Sequence, residues 1–287
     1  MSVLLNEAIM KFSIIMPMYN RESSIERAIV SVQNQCYENF ELLIIDDGSS
    51  DNSVQLVKQF LDDTRIKLLT LKSNRGVNKA RNSGLNNIAD DVDFVTFLDS
   101  DDEFYSNALD NMQKVISKYS KIKDFCFSVS GTNGRKFSFV KTENLICDYK
   151  TILCNEKALS GEWVHVICAH IIRSKKFRYE ESIKNGFEGI AYLRLVKEFD
   201  SLYSKKVVRI YHTDEQGLTR GQVMTNDKAL DILKGHDIFL AENGAVLKKN
   251  NRRKYSKQYS IIGKTYLDIK NFTAGFKNTL TSLLSNP

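Results

Sequence analysis

Four short apolar runs, each ending abruptly in a polar cluster, leave this chain few ways to fold. They are Phe12 to Met16 (FSIIM), Phe40 to Ile45 (FELLII), Ile66 to Thr70 (IKLLT) and Phe94 to Leu98 (FVTFL). Their β-branched and aromatic character marks buried strands. Between them the spacing turns helical. Glu22 to Gln35 sets Ile25, Ala28, Ile29 and Val32 on one face, with Glu22, Ser23 and Ser24 ahead to supply a cap. Ser53 to Leu61 carries Val54, Leu56, Val57 and Phe60. Buried strands alternating with amphipathic helices over short links predict an α/β fold with a doubly wound, mostly parallel sheet. Pro17 is expected to stop the first strand.

In such a sheet the carboxyl ends of the strands share one rim, and ligands bind there. Four loops reach it: Tyr19 and Asn20, Asp46 and Asp47, Asn74 to Asn78, and Asp99 to Asp102. The last constrains chemistry most. Asp99, Asp101 and Asp102, with Ser100 among them, repel one another unless a cation intervenes; a solvated acidic turn is the plainer alternative. Two hard oxygen ligands, Asp99 and Asp101, suit Mn2+ or Mg2+ better than zinc and leave coordination positions for a diphosphate. Asp47, on a tight turn, is placed to accept from a ring N–H of a base, unless the turn only caps a helix through Ser49 or Asp51. Tyr19 is placed to lie against that base. Arg81 offers a planar fork to phosphate, or stands as an exposed cation on the helix that Asn78 begins. Gly76 and Gly84 permit close backbone approach. Neither GxGxxG after the first strand nor GxxxxGK[ST] is present, which removes the usual supports for dinucleotide redox chemistry and P-loop hydrolysis.

Further along, Asn107 to Tyr119 reads as a helix, Phe125 to Val129 and Lys136 to Val140 as strands, Glu188 to Phe199 as a helix and Lys206 to Tyr211 as a strand. Residues 141 to 180 carry no clear pattern. From Lys228 to Leu240 the chain is helical, and Lys248 to Gln258 holds six basic residues and no acid. That stretch, with Lys248, Lys249, Arg252, Arg253, Lys254 and Lys257 beside Tyr255 and Tyr259, is expected either to meet anionic lipid or to be a solvated helix face. Nucleic acid is a poorer match, because no reading motif accompanies the charge. An apolar content of 42% in 287 residues allows a real core. Nothing indicates a secretion signal or a membrane span. Cys36, Cys126, Cys147, Cys154 and Cys168 lie singly, as expected of reduced core residues in a cytoplasmic protein, here one peripheral to the inner face of the membrane.

The segments SIIMPMYNRE, LLIIDDGSSD, NRGVNKARNSGL and FLDSDD, in this order and spacing, resemble the family 2 glycosyltransferases of the GT-A fold. The resemblance is specific over residues 12 to 104 and weaker over 160 to 220. It implies an inverting enzyme that uses a nucleotide-diphospho-sugar, UDP-linked, in cell-surface polysaccharide synthesis. Pro17, Tyr19, Glu22, Asp47, Asn74, Gly76, Arg81 and Ser100 would line the donor pocket. Asp99 and Asp101 would be the Asp-x-Asp pair, with Asp101 the more direct metal ligand. The donor half would span 12 to 104 and the acceptor half 105 to 220, within a transferase domain of residues 1 to 220, and 221 to 287 would form a basic helical region.

Inverting transfer needs one general base for the acceptor hydroxyl. Family members usually supply it from a Glu-Asp pair opening a helix before a pattern like xxLxLRLxK. Here that aspartate falls on Gly189. Glu188 is the expected substitute; Glu180, Glu181, Asp214 and Glu215 are the alternatives, as is a chain that binds donor and transfers poorly. His212 follows a strand where the family commonly presents a basic loop near the diphosphate. Trp163, His165 and His170 are candidates for the acceptor side. Acids at strand ends also serve metal-dependent nucleotidyltransferases, a competing class.

Overall fold

The computed structural model describes residues 9–155, 157–212 and 224–285. The strands are β1 (Phe12–Met18), β2 (Phe40–Asp46), β3 (Ile66–Thr70), β4 (Phe94–Phe97), β5 (Glu103–Phe104), β6 (Asp124–Gly131), β7 (Ser138–Val140), β8 (Leu145–Cys147), β9 (Leu159–Gly161), β10 (Trp163–Cys168) and β11 (Ser201–Tyr211). The helices are α1 (Ile25–Gln33), α2 (Ser53–Lys58), α3 (Val77–Leu85), α4 (Ala108–Ile116), α5 (Tyr149–Cys154), α6 (Ala169–Arg173), α7 (Glu188–Val196), α8 (Asn226–Asn250), α9 (Arg252–Asp268) and α10 (Phe272–Ser285).

One sheet runs in the order β3-β2-β1-β4-β10-β6-β11-β5, with β8 also on β11, while β7 and β9 pair separately. From β3 to β4 every pairing is parallel, as the alternation of strands and helices predicts. Beyond β4 the sheet is mixed: β10 runs against both β4 and β6, and β6 lies parallel to β11. Ile14, Met16, Leu42 and Ile44 pack on one face with Ile25, Ile29, Leu109 and Met112. Ile15, Leu43, Ile45 and Val95 pack on the other with Ala80, Leu85, Ala191 and Leu195. Both faces are covered, so successive strand residues are all buried and the sequence reads as an unbroken apolar run.

Four local details differ from expectation. Pro17 does not stop β1, which continues to Met18. Ile15 faces β4, accepting from the Leu98 amide, so Pro17 two positions on faces the same way, where pairing with β4 has already ended. Its missing N–H therefore breaks no ladder. Ser24 precedes α1, but its hydroxyl donates to the Ser100 carbonyl at 3.0 Å and does not cap the helix. The unpatterned stretch from 141 to 180 contains β8, α5, β9, β10 and α6. These are short, and β10 carries His165 among its apolar residues, which blurred the period. At the other end α8 runs past Leu240 to Asn250, and Asn251 then caps α9, its side chain accepting from the Lys254 amide at 2.9 Å.

Candidate active site

The loops after β1 to β4 meet at one rim through bonds between residues far apart in sequence. The Asn20 amide donates to Ser49 Oγ at 2.9 Å, and the Asn20 side-chain oxygen accepts from the Ser50 amide at 2.8 Å. Glu22 and the second loop are reciprocal: its amide donates to Asp51 and its carboxylate accepts from the Asn52 amide at 3.0 Å. Asp47 is buried, and its carboxylate accepts from the Gly76 amide at 2.7 Å and the Arg75 amide at 2.9 Å. Burial pushes its carboxyl above the ordinary range, and those two amides oppose the rise. Asp47 thus shapes the third loop. Gly76 adopts φ 94°, and a Cβ there would lie 2.1 Å from the Lys184 carbonyl oxygen, so only glycine fits beneath that crossing segment. Tyr19 stands 41% exposed at the end of β1, an aromatic face left open at the rim.

Arginines organise the acids. Arg81, on α3, is buried and bonds Asp99 Oδ1 at 2.7 Å and Glu188 Oε1 at 2.8 Å. One guanidinium thus ties the acid after β4 to the first residue of α7. Arg209 on β11 approaches Asp99 Oδ2 at 3.6 Å and Asp102 Oδ2 at 3.4 Å. Burial works against the Asp99 carboxylate, but Arg81 and then Arg209 outweigh it and hold its carboxyl below the usual range. For Asp102 burial wins over Arg209, and with Asp99 and Asp101 adding to it the carboxyl is pushed up to about 7. Asp101 lies 3.3 Å from Arg21. Ser100 is buried between them. His212 is drawn to the same region: its amide donates to Asp102 at 3.1 Å and its ring Nε2 is 2.6 Å from Glu103.

The base candidates separate. Glu188 stands at the crevice on Arg81. A Cβ built on Gly189 meets no atom within 4 Å, so the position has room for a side chain. Glu180 is engaged by Ser182 and by Arg194 at 3.0 Å, and Glu181 by Lys79 at 2.6 Å and Asn82. Asp214 and Glu215 lie outside the described residues. Trp163 packs edge-on against Tyr203, 4.8 Å between ring centroids. His165 is inside the sheet, stacked on Tyr192 at 3.5 Å, its Nδ1 3.0 Å from the fully buried Asp124, and Ser201 holds the other Asp124 oxygen. Asp124, Cys126 and His165 have ligand-type atoms within 4.8 Å of one another, but these hydrogen bonds already engage the acid and the ring. Tyr192 in turn meets the Tyr179 hydroxyl at 2.8 Å, and Tyr179 lies under Arg81 at 5.3 Å. A buried support thus runs from β6 and β10 to the guanidinium at the crevice.

Sequence reasoning did not single out Arg21, Arg209, Tyr179 or Tyr192. The signal existed for Arg209, a charge inside the apolar strand KVVRIY, since a buried guanidinium requires a carboxylate partner.

A mixed α/β sheet whose parallel half ends in a rim of paired acids and arginines defines a GT-A-type architecture. Residues 13–178 match glycosyl transferase family 2, and the chain belongs to that family. It is 35% identical over 210 residues, 72% of its own length, to the GalNAc(5)-diNAcBac-PP-undecaprenol beta-1,3-glucosyltransferase of Campylobacter jejuni. Over 98 residues, 34% of the chain, it is 48% identical to the UDP-Glc:alpha-D-GlcNAc-diphosphoundecaprenol beta-1,3-glucosyltransferase WfgD of Escherichia coli. The aligned parts span 66% and 38% of those two relatives. Residues 1–349 of S. aureus TarS in complex with UDP share the fold, with TM-score 0.68, 18% identity, and coverage of 95% of this chain and 90% of that one.

Proposed function

We propose that this chain is an inverting glycosyltransferase that moves a sugar from a UDP-linked donor to a glycan or lipid-linked glycan acceptor in cell-surface polysaccharide synthesis. The observation that carries this reading is the buried Arg81, bonded at once to Asp99 and to Glu188. It sets the acid of the donor side and a carboxylate able to take a proton on two sides of one crevice. The relatives' names supply the substrate class: one acts on an undecaprenol-linked glycan, another uses UDP-Glc, and a protein of the same fold binds UDP.

In this reading Tyr19 lies against the base, with Pro17, Glu22, Asp47, Asn74, Gly76 and Ser100 shaping the pocket. Residues 12–104 hold the donor and 105–220 the acceptor. The acceptor oxygen attacks the anomeric carbon from the face opposite the diphosphate while Glu188 takes its proton. Arg81 occupies Oε1, which leaves Oε2 for that proton. The bond from the anomeric carbon to the diphosphate oxygen breaks, and UDP leaves as a weak base that needs no proton of its own. With Nε2 held by Glu103 at 2.6 Å, His212 would donate to that diphosphate through Nδ1.

Asp99 and Asp101 fit a hard divalent cation, Mn2+ or Mg2+, by donor type and by their place at an open rim. Asp99 has both oxygens facing guanidinium groups, whereas Arg21 stands 3.3 Å from Asp101, a contact that a cation replaces more readily than the 2.7 Å Arg81 bond. In this reading Asp101 is the more direct ligand and Asp99 the neighbour anchored by arginines. A bound ion supplies charge to offset that developing on the leaving diphosphate.

Glu188→Gln should abolish UDP release in the presence of acceptor while leaving UDP affinity within about threefold. Unchanged turnover would remove Glu188 from its role. The open space at Gly189 favours one rival, a donor-binding subunit without transfer: UDP-sugar binding with no product across a panel of lipid-linked acceptors would support it. The same reading places Lys248, Lys249, Arg252, Arg253, Lys254 and Lys257, around the α8–α9 break, against an anionic membrane surface. Among the described residues no helix is long and apolar enough to cross a membrane.

A further inference from the structure

We infer that the outer face of α10 is a docking surface for an anionic lipid bilayer. α9 and α10 form an antiparallel hairpin whose seam is made of small residues. Ser256 Oγ donates to the Ser282 carbonyl at 2.8 Å and Ser282 Oγ donates back to the Ser256 carbonyl at 2.9 Å. A Cβ at Gly263 would stand 2.6 Å from Thr279 Oγ1, and one at Gly275 2.5 Å from Leu267. The large side chains of α10 point the other way. Phe272, Phe276, Leu280, Leu283 and Leu284 are 59%, 68%, 56%, 68% and 77% exposed. Among the described residues twelve large apolar side chains are exposed, and five of them sit on this one helix.

A helix folding in water turns its bulky apolar residues to its neighbour and its small polar ones outward. Here the order is reversed. Small residues at a close helix–helix seam with large apolar residues outside is the arrangement of helices whose surroundings are themselves apolar.

Charge selects the occupant. Between Arg252 and Ser285 there are seven basic residues and one acid, Asp268. Counting about 100° per residue from Ser256 and Gly275 at the seam, the exposed Arg253, Lys257 and Lys264 fall on the same side of the hairpin as Phe272, Phe276 and Leu283. A second copy seated on this face would bring like charges together. An anionic bilayer takes both features, cations at the headgroups and aromatic and leucine side chains below them. The hairpin then lies in the plane of the interface. This inference extends the membrane contact proposed for Arg253 and Lys257 to the apolar face of α10, and it rests on the hairpin's surface and not on the transfer chemistry.

Flotation of the full chain with phosphatidylcholine vesicles, and with vesicles containing about one-third phosphatidylglycerol, tests it. The chain should rise with the anionic vesicles, less so at high salt and less with the neutral ones. Binding should fall by about tenfold in a Phe276→Ser, Leu284→Ser double variant and in Lys264→Glu, whose substitutions are all at exposed positions. Their melting temperatures, matching the unmodified chain, exclude misfolding as the cause. Equal flotation of the double variant, or equal binding to neutral and anionic vesicles, overturns the inference. So does a chain that stays below both and sediments as a dimer which Phe276→Ser splits. Loss of UDP binding in the same samples would bear on the catalytic reading alone.

Discussion

At the scale of single residues, Arg81 is the side chain on which most converges. It is buried, it bonds two carboxylates from different elements, and Tyr179 lies against it. Arg81→Gln takes the guanidinium from Glu188 and leaves Asp99 with the longer Arg209 contact at 3.6 Å. The expected cost is about 1.5–3 kcal/mol of stability, read from denaturant unfolding, the range for hydrogen bonds to charged groups. Turnover should fall about a hundredfold or more, since Glu188 and Asp99 both lose their orientation. A variant with full activity would show that the two acids need no common anchor. Gly189 offers a complementary test. Its position is open and helical, so Gly189→Asp should fold normally and, placed in the Glu188→Gln background, restore part of the lost transfer. No recovery at any pH would mean that an acid at 189 does not reach the acceptor.

Elements determine whether those residues arrive where they are needed. α7 opens on Phe187, which takes a left-handed conformation with φ 60°, and α8 holds that turn from outside. Gly235 lets the Phe187 ring sit where a Cβ would come within 2.5 Å, and His236 meets the same ring edge-on at 5.1 Å. Burial pushes the His236 imidazole below its ordinary 6.5, with the Gln258 side-chain oxygen opposing that shift. As pH falls the unfolded chain therefore takes up the proton first. The stability contributed by the neutral ring is complete above about pH 6.5 and is lost as pH falls through the lower folded value. Asp102, raised to about 7, moves stability the opposite way over the same range, so the His236 contribution is read as a difference: the melting temperature of the unmodified chain minus that of His236→Gln should shrink as pH falls below about 6.5. An unaltered pH profile would place the acid sensitivity elsewhere.

For the molecule as a whole, the two halves of the sheet meet at the crevice, so ligand binding there should be felt globally. UDP with Mn2+ at about a hundred times its dissociation constant is expected to stabilise the fold by about 2.7 kcal/mol, seen as a higher melting temperature. A chelator should remove most of that gain, and Asp101→Asn should do the same with metal present. A gain insensitive to chelator and to Asp101→Asn would mean that the arginines, and no cation, hold the diphosphate.

The sequence by itself determined the parallel half: FSIIM, FELLII and FVTFL each became a strand, and their terminal loops met at one rim. Strand period, apolar content and the abrupt change to acids are local properties, legible over a few residues. The tertiary structure alone decided how the charges are satisfied. Asp47 engages backbone amides 28 and 29 positions away, and Arg81 bridges carboxylates 18 and 107 positions away. Partners that distant are chosen by strand order and helix packing, which pair spacing along the chain does not encode. β10 makes the same point. Its insertion between β4 and β6 set the buried His165 behind Tyr192, although residues 141 to 180 had offered no readable period.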